Sequence, residues 1–293
     1  MPVIKDNMNM DLFHKKRTIC IRGALCDLSE PRVMGILNFT PDSFYDGGRY
    51  RDKESILSHV GKMVDDGVHF IDVGAVSTRP GAATVTEIEE MRRLSEVLGV
   101  IRDKFPDVIL SVDTWRSGVA YMVVREFGVD MINDISSGDM DKRMHEAIAE
   151  LQVPYIAMHM QGTPATMQKD PRYGDVVNEI IGYFAVKLTK LRSLGVKDII
   201  IDPGFGFGKT QEHNYILAGR LEEFGILDLP ILVGFSRKSM IYKNLGVPPD
   251  KALAGTISLN AAALMKGADI LRVHDVREAM DTIKVIKKLR EFS

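Results

Sequence analysis

The chain has 293 residues and a mass of 32.7 kDa, with 45% hydrophobic and 27% charged residues. These proportions are ordinary for a globular protein and exclude intrinsic disorder, collagen-like repeats and a coiled coil for the bulk of the chain. Its 38 Lys and Arg against 40 Asp and Glu give a net charge of -2, without the basic excess that nucleic-acid binding requires. No apolar run suits a membrane span or a signal peptide, so we expect a soluble, cytoplasmic protein without a membrane partner.

Short β-branched runs alternate with longer segments of helical period, a pattern typical of βα units around a parallel sheet. A polar N-terminal leader (residues 1–16) precedes a predicted small hairpin (17–28). Eight strands are predicted near 32–38, 69–73, 108–113, 130–135, 154–159, 198–202, 230–235 and 269–273. Helices are predicted over 53–66, 86–104, 116–127, 141–151, 175–194, 212–223, 251–266 and 275–290. Eight such pairs in about 250 residues favour a single-domain α/β fold, a (β/α)8 TIM barrel over residues 17–293, with the short N-terminal hairpin covering its bottom.

Polar residues stand where the predicted strands end, and in a barrel these ends open on one shared cleft. They are Asn38, Asp72, Asp113, Asn133 with Asp134, His159, Asp202, Ser236 with Lys238, and Arg272 with His274. Taken singly, each could equally cap the next helix. As a set, the carboxylates and amides suit a heteroaromatic ring, whereas Asn38, Arg272 and His274 on the first and last strands suit an anion. Alternatively, Arg272 pairs with Asp275 and only caps the final helix.

The segment DPGFGFGKT (202–210) resembles a nucleotide-binding loop, but its spacing does not fit one. A P-loop needs a glycine where this chain has Pro203, and the dinucleotide fingerprint needs a different glycine spacing. What remains is an aspartate at a strand end followed by a glycine-rich turn. Phe205 or Phe207 could stack on a flat ligand from this turn, or both could be core aromatics beneath it.

Two loops that follow strand ends, 39–50 and 74–84, are rich in turn-forming residues and are candidate lids of the cleft. The chain shows no spacing typical of a tightly bound zinc ion. Mg²⁺ bound through a substrate's phosphates needs only one or two protein oxygens, and Asn38 could supply one. A covalent acyl mechanism has no candidate nucleophile, since no G-x-S-x-G motif occurs and neither cysteine lies at a strand end.

Seven blocks of sequence resemble the dihydropteroate synthase family in their order and spacing. They are GILNFTPDSFYDGG (35–48), STRPGA (77–82), SVDT (111–114), INDIS (132–136), DPGFGFGKT (202–210), GFSRKS (234–239) and RVHD (272–275). The resemblance implies a (β/α)8 barrel that condenses 6-hydroxymethyl-7,8-dihydropterin pyrophosphate with para-aminobenzoate and releases pyrophosphate in folate biosynthesis. It also implies a homodimer formed through the later helices and competition by sulfonamides.

The same resemblance assigns roles to individual residues. Hydrogen bonds to the pterin ring would come from Asp113, Asn133, Asp202 and Lys238. The residues packed near the ring would be Met158 and Phe207. A pyrophosphate site with Mg²⁺ would be formed by Asn38, Arg272 and His274. The aminobenzoate pocket would be shaped by Thr78, Arg79, Pro80 and Ser239. The residues expected to act in catalysis are Asp113, Lys238, Arg272 and His274.

The implied chemistry needs no strong base, because loss of pyrophosphate next to an electron-rich dihydropterin leaves a delocalised cation. Two other functions remain open on the same fold. One is a methyltetrahydrofolate methyltransferase domain, which has no use for a pyrophosphate site. The other is a non-catalytic pterin-binding paralogue, which has one point in its favour: this chain reads Ala75-Val76 where the family usually has Gly-Glu.

Overall fold

The computed structural model describes residues 17–39, 49–76 and 85–292, so the predicted leader lies outside the described residues. A two-stranded antiparallel hairpin comes first, with strands β1 (Thr18–Ile21) and β2 (Ala24–Asp27). The eight parallel strands are β3 (Arg32–Asn38), β4 (Phe70–Gly74), β5 (Leu110–Asp113), β6 (Met131–Asp134), β7 (Tyr155–Met158), β8 (Ile199–Asp202), β9 (Leu232–Val233) and β10 (Ile270–Val273). Their spatial order is β8-β7-β6-β5-β4-β3-β10-β9.

The two ends of this sheet meet through a single bridge between Ile201 and Ile231, and Ile201 N–H donates to Pro230 O at 3.0 Å. The sheet therefore closes into a barrel, and the predicted (β/α)8 fold is confirmed. The surrounding helices are α1 (Arg49–Asp65), α2 (Glu87–Lys104), α3 (Ser117–Phe127), α4 (Met144–Leu151), α5 (Val176–Ser193), α6 (Gln211–Gly219), α7 (Ser239–Leu245), α8 (Leu253–Met265) and α9 (Val276–Arg290). In the part of the chain that the structure describes, no helix is both long and apolar enough to cross a membrane.

The barrel interior is filled from below by one apolar cluster. Seven of the parallel strands contribute to it Met34, Phe70, Met131, Ile156, Ile200, Leu232 and Ile270. Ile19, Ile21 and Leu28 of the hairpin region belong to the same cluster and are buried. The hairpin therefore covers the bottom of the barrel as predicted, and the opposite end, where the strands terminate, is left for the cleft.

Arg22 at the tip of the hairpin fixes this cover to the barrel. Its guanidinium donates to both carboxylate oxygens of Asp130, at 2.6 and 3.0 Å. Asp130 is buried and also accepts from Arg102 and from the backbone N–H of Leu110, each at 2.8 Å. The pairing joins the hairpin to the start of β5 and β6. It places a charged network at the barrel end farthest from the cleft.

Two predicted elements differ from the structure, and one observed helix is not among the predicted ones. The strand predicted over 230–235 is only two residues long, because the chain turns away after Val233. The helix predicted over 212–223 is divided into α6, which ends at Gly219, and a 3-10 helix, Leu221–Leu227, which contains Gly225. Helix α7 was not predicted, since its seven residues are too few to show a helical period before Gly246 ends it at φ 64°.

The Asp130 network should be a main contributor to stability. Asp130→Ala should lower the free energy of unfolding by about 3 kcal/mol, because two arginines and Leu110 N–H lose a buried acceptor. Arg22→Ala should cost at most about 1 kcal/mol, since its side chain is largely solvated. Urea unfolding measures both values, with the exposed Asp107→Ala as the control. Equal losses for Asp130→Ala and Asp107→Ala would show that the network does not stabilise the barrel.

Candidate active site

Three predicted site residues lie on a single rung at the upper end of the barrel. The strand register places Asn38 beside Gly74, Gly74 beside Asp113, and Asp113 beside Asn133. A methyl group on Gly74 would come within 3.4 Å of Asn38 Oδ1 and 3.7 Å of Asp113 Cβ. Glycine therefore keeps an open space between two oxygen-bearing side chains. The sequence prediction that strand ends bring these residues together agrees with this geometry.

Asp72, at the centre of β4, is fully buried and connects three other strands. It accepts hydrogen bonds from Ser111 Oγ at 2.6 Å, from Asn133 Nδ2 at 2.9 Å and from Arg272 Nε at 2.7 Å. These donors occupy its carboxylate, so Asp72 orients Asn133 and Arg272 below the cleft. Asp72 had been predicted only as one of the strand-end residues, and no role had been assigned to it.

Arg272 reaches across the barrel between two carboxylates. Besides its contact with Asp72, its Nη2 donates to Asp113 Oδ2 at 3.1 Å. The alternative that it pairs with Asp275 is wrong, because Asp275 is 2.6 Å from Arg237 instead. Nη1 of Arg272 makes no hydrogen bond with the residues that the structure describes. The Nη1 edge of the guanidinium is therefore available to a ligand.

The titration of Asp113 and Lys238 is set by their enclosure at the top of the barrel. Burial raises the pKa of Asp113 to about 7, although the positive charge of Arg272 opposes this change. Burial lowers the pKa of Lys238 to about 8, and the charge of Asp202 opposes that change. The ammonium of Lys238 donates to Phe205 O and lies 4.9 Å from the centre of the Phe207 ring. Both groups can therefore change charge near neutral pH.

Asp202 ends β8 beside Met158, which ends β7 in the same register. Its Oδ1 accepts from Gly204 N–H at 2.7 Å, whereas Oδ2 receives no hydrogen bond from any described residue. The turn that follows separates the two phenylalanines. Phe205 is fully buried and packs on Phe235 with ring centres 4.3 Å apart, so it is a core residue. Phe207 is only partly buried and remains the candidate for contact with a flat ligand.

An apolar wall stands beside Asp202 and Lys238. It consists of Ile135, Met158, Met160 and Met167, with Trp115 and Phe207 packed against them. Met158 and Phe207 were predicted to lie here, and the structure brings them together. Trp115 was missed, although its position two residues after the strand-end Asp113 was a usable signal. Flexible methionine and flat aromatic side chains form a surface suited to a planar heterocycle.

The ends of β9 and β10 are joined by two side-chain contacts. Ser236 Oγ is 2.9 Å from His274 Nδ1, and Arg237 pairs with Asp275. Arg237 has φ 56°, in the left-handed region, and is exposed, whereas its neighbour Ser236 is buried and Lys238 is half-buried. Ser239, the first residue of α7, is exposed. The GFSRKS and RVHD blocks are therefore one structural unit.

Besides Asp72, two other strand-end residues do not face the cleft as predicted. The Asp134 carboxylate is buried among donors of its own loop and of β7, accepting from Ser136 N–H, Gly138 N–H and Tyr155 Oη at 2.7 to 2.8 Å. His159 is buried and contacts Lys209. Strand position alone did not separate these structural residues from the others.

The three second-loop residues Thr78, Arg79 and Pro80 lie outside the described residues, so their predicted roles remain predictions. The described positions on either side are held by arginines. Ala75 O accepts from Arg93 at 3.2 Å, and Val85 O accepts from Arg116 at 2.6 Å. Ala75, which replaces the usual family glycine, is fully buried.

The cleft thus combines a carboxylate and an amide on one rung, a second carboxylate opposite, two cations and an apolar wall. Asp202 Oδ2 and the unshared oxygen of Asp113 can accept hydrogen bonds, and Asn133 and Lys238 can serve acceptors on a ligand. Arg272 can meet an anion through Nη1. This arrangement fits a planar heterocycle that carries both donors and acceptors and is linked to an anionic group.

Comparisons with known proteins agree with this class of site. A family model described as "Pterin binding enzyme" matches residues 34–274. The dihydropteroate synthase of Escherichia coli K12 is 44% identical over 271 residues, which cover 91% of this chain and 94% of that protein. Among solved structures, this chain resembles the Yersinia pestis dihydropteroate synthase in complex with a sulfonamide drug. The TM-score is 0.87, the identity is 41%, and the match covers 94% of this chain and 99% of that one.

A third relative is the Xanthomonas albilineans dihydropteroate synthase solved with 4-aminobenzoic acid. It has a TM-score of 0.86 and 35% identity and covers 94% of this chain and 98% of that one. The chain therefore belongs to the dihydropteroate synthase family of pterin-binding enzymes, which are transferases of folate biosynthesis. This reading holds over the methyltransferase and non-catalytic alternatives.

Pterin affinity should depend on pH in a bell-shaped manner. A carboxylate that accepts from the ring must be ionised, so affinity should rise as pH increases through about 7, the pKa of Asp113. An ammonium that donates must be protonated, so affinity should fall as pH increases through about 8, the pKa of Lys238. Calorimetry from pH 5.5 to 9.5, which extends about 1.5 units beyond each of these values, measures the profile. Asp113→Asn should remove the acidic limb alone; an unaltered acidic limb would assign it to another group.

Proposed function

We propose that the chain condenses 6-hydroxymethyl-7,8-dihydropterin pyrophosphate with para-aminobenzoate, and that the cleft at the upper end of the barrel is where this happens. The observation that carries the proposal is the position of Arg272. It lies between the two carboxylates that adjoin the ring site and keeps one guanidinium nitrogen available for an anion. A pterin pyrophosphate carries both groups that such a site can bind, a polar ring for the carboxylates and an anion for the arginine.

Four polar residues of predicted role would contact the edge of the ring, and two apolar residues would pack on it. Asp202 Oδ2 is suited to the exocyclic amine and ring N–H of a pterin, because both are donors and the oxygen has no other described partner. Asn133 and Lys238 would donate to ring acceptors, and Met158 and Phe207 would pack on the ring faces. Asp113 would stabilise positive charge that develops on the ring, since its remaining oxygen points into the same cleft.

In the reaction, the bond between the methylene carbon attached to the pterin ring (C9) and the pyrophosphate oxygen breaks, and its electron pair leaves with pyrophosphate. The amine nitrogen of aminobenzoate then forms a bond to C9 and gives up a proton to solvent. Arg272 and His274 would hold the departing pyrophosphate. His274 is already fixed by Ser236, which keeps one ring nitrogen engaged and orients the other. No described residue needs to act as a strong base.

Mg²⁺ is proposed as the partner of the pyrophosphate, and the residues present fit it. Asn38 Oδ1 is a hard oxygen donor at the exposed mouth of the cleft, and Gly74 leaves space between it and Asp113. Asn38 would contribute one ligand, with the remainder from phosphate oxygens and water. When bound, the ion would offset the negative charge of the leaving group.

Aminobenzoate would bind at the mouth of the cleft, where Ser239 is exposed, together with Thr78, Arg79 and Pro80. Sulfonamides would compete for the same position. A homodimer through the later helices is also proposed; it is supported by exposed apolar side chains on α6, α7 and the end of α8. These are Tyr215, Ile216, Leu245 and Met265. Cytoplasmic location is proposed from the sequence alone.

The deciding experiment is an assay of pyrophosphate release by the purified full chain. Release should require the pterin pyrophosphate, aminobenzoate and Mg²⁺ together. Asn38→Ala should raise the Mg²⁺ concentration needed for half-maximal rate by about tenfold, because losing one metal ligand worth about 1.4 kcal/mol weakens binding tenfold. The same variant should leave the affinity for a pterin without pyrophosphate unchanged. Release without aminobenzoate would contradict the synthase assignment; an unaltered Mg²⁺ requirement would remove Asn38 from the metal site.

Asp202 gives a separate test of the ring site. Asp202→Ala should weaken pterin binding by about 1.5–3 kcal/mol, the value of hydrogen bonds to a charged group. Asp202→Asn, which keeps the shape and the Gly204 contact, should lose less. Isothermal calorimetry measures the affinities, and the melting temperature of both variants is the folding control. Wild-type affinity in Asp202→Ala would exclude the residue from the pterin site.

A further inference from the structure

Lys209 is a buried lysine of the glycine-rich motif to which the proposed reaction assigns no role. In sequence it stands where a nucleotide-binding loop has its phosphate-binding lysine, within Gly208-Lys209-Thr210. In the structure it is turned inward and only 3% exposed. A lysine at this depth without a carboxylate in contact is unusual, because burial disfavours its charge.

Backbone carbonyls and one imidazole surround the Lys209 ammonium. Nζ is 2.8 Å from Gly204 O, 3.0 Å from Phe207 O and 3.0 Å from His159 Nδ1, with His159 O farther away at 3.4 Å. An ammonium has three N–H donors, and the three shorter contacts use all of them. Lys209 therefore has no donor left for a phosphate.

His159 is suited to be the acceptor in this cluster. Burial, and then the neighbouring charge of Lys209, lower the pKa of His159 to about 2, so the ring is neutral. Its Nδ1 lone pair can then accept from the ammonium, which assigns the ring proton to Nε2. The ring is fixed edge-on against Tyr183, with ring centres 4.9 Å apart. Lys209 thus joins the turn after β8 to the end of β7.

The turn itself is shaped so tightly that it needs such a support. Gly204 has φ 73°, and a Cβ there would lie 1.9 Å from His159 O. Gly208 has φ 59°, and a Cβ would lie 2.5 Å from Gln161 O. The chain therefore lies directly on the β7 end at two points. Gly204 O accepts from Phe207 N–H and also from Lys209, and Phe207 O accepts from Lys209, so the lysine supplies donors to two carbonyls inside the turn.

We propose that Lys209 is a positioning residue for pterin binding, which holds the turn from Pro203 to Gly208 in the shape that aligns Asp202 and Phe207 with the ring. The link to Asp202 is direct, since Gly204 O contacts Lys209 while Gly204 N–H donates to the Asp202 carboxylate. The link to Phe207 is also direct, since the carbonyl of Phe207 itself accepts from Lys209. The inference rests on the proposed function, because it assigns Asp202 and Phe207 to the ring.

The test compares two ligands on Lys209→Met, which keeps most of the length of the side chain and removes its amino group. Affinity for 6-hydroxymethyl-7,8-dihydropterin should fall by about tenfold or more, because the three contacts that hold the turn beside Asp202 and Phe207 are lost. Affinity for inorganic pyrophosphate with Mg²⁺ should stay unchanged. Lys266→Met is the matched control, since Lys266 pairs with Glu222 outside the cleft and should leave both affinities at the wild-type value.

A second variant supports the first if Lys209→Met folds poorly. His159→Phe keeps an aromatic ring against Tyr183 but removes the Nδ1 acceptor, so it should weaken pterin binding less than Lys209→Met does and spare pyrophosphate. Unchanged pterin affinity in both variants would overturn the proposal. An equal loss of both ligands would also overturn it, because that result indicates general damage or an anion-binding lysine. Failure of the wild-type chain to bind pterin would instead contradict the proposed function.

Discussion

The charge of Asp72 is the constraint on which the upper half of the barrel depends. A carboxylate that is fully enclosed in the middle of a barrel is stable only if donors surround it. Here a hydroxyl, an amide and a guanidinium do so, from β5, β6 and β10. Meeting this requirement fixes Asn133 and Arg272 before any ligand arrives. The order of the cleft is therefore a consequence of satisfying one buried charge.

That arrangement also explains why the cleft holds so many ionisable groups close together. Arg272 contacts Asp72 and Asp113 at once, and Lys238 lies near enough to Asp202 for their charges to interact. Each cation limits the repulsion among the carboxylates, although burial still raises the pKa of Asp113 and of Asp202. Without a ligand, Asp113 and Lys238 are therefore each only partly protonated near neutral pH. Ligand binding is then linked to proton exchange, with binding favouring loss of the proton from Asp113 and retention of the proton on Lys238.

Much of this could be predicted from sequence because it follows from local pattern. Strand ends are visible as the last residue of a β-branched run, and a closed parallel barrel places all of them on one face, which is why Asn38, Asp113 and Asn133 were predicted together. The partner of Arg272 could not be predicted. Asp72 is 200 residues away in the chain, and only the closed barrel brings the two into contact.

Residues of similar type that lie close together in the chain could not be told apart from the sequence. Asn133 donates to Asp72 beneath the cleft whereas Asp134 satisfies its own loop, and Phe207 stays partly exposed beside Lys238 whereas Phe205 enters the core. In both pairs the difference depends on backbone direction, which for the phenylalanines is set by glycines with positive φ. Helix α7 was not predicted for a related reason, since seven residues carry too little periodicity to show a helix, whereas the strand of β9 was predicted but is shorter than expected.

The hairpin at the base has a practical consequence for handling the molecule. Because β1 covers the end of the barrel opposite the cleft, Thr18 lies on the far side from Asp202 and Lys238. A tag, a surface linker or a fused domain joined ahead of Thr18 would start from that side. Immobilisation through this end should leave the mouth of the barrel facing solution, so that small ligands can be passed over a tethered sample.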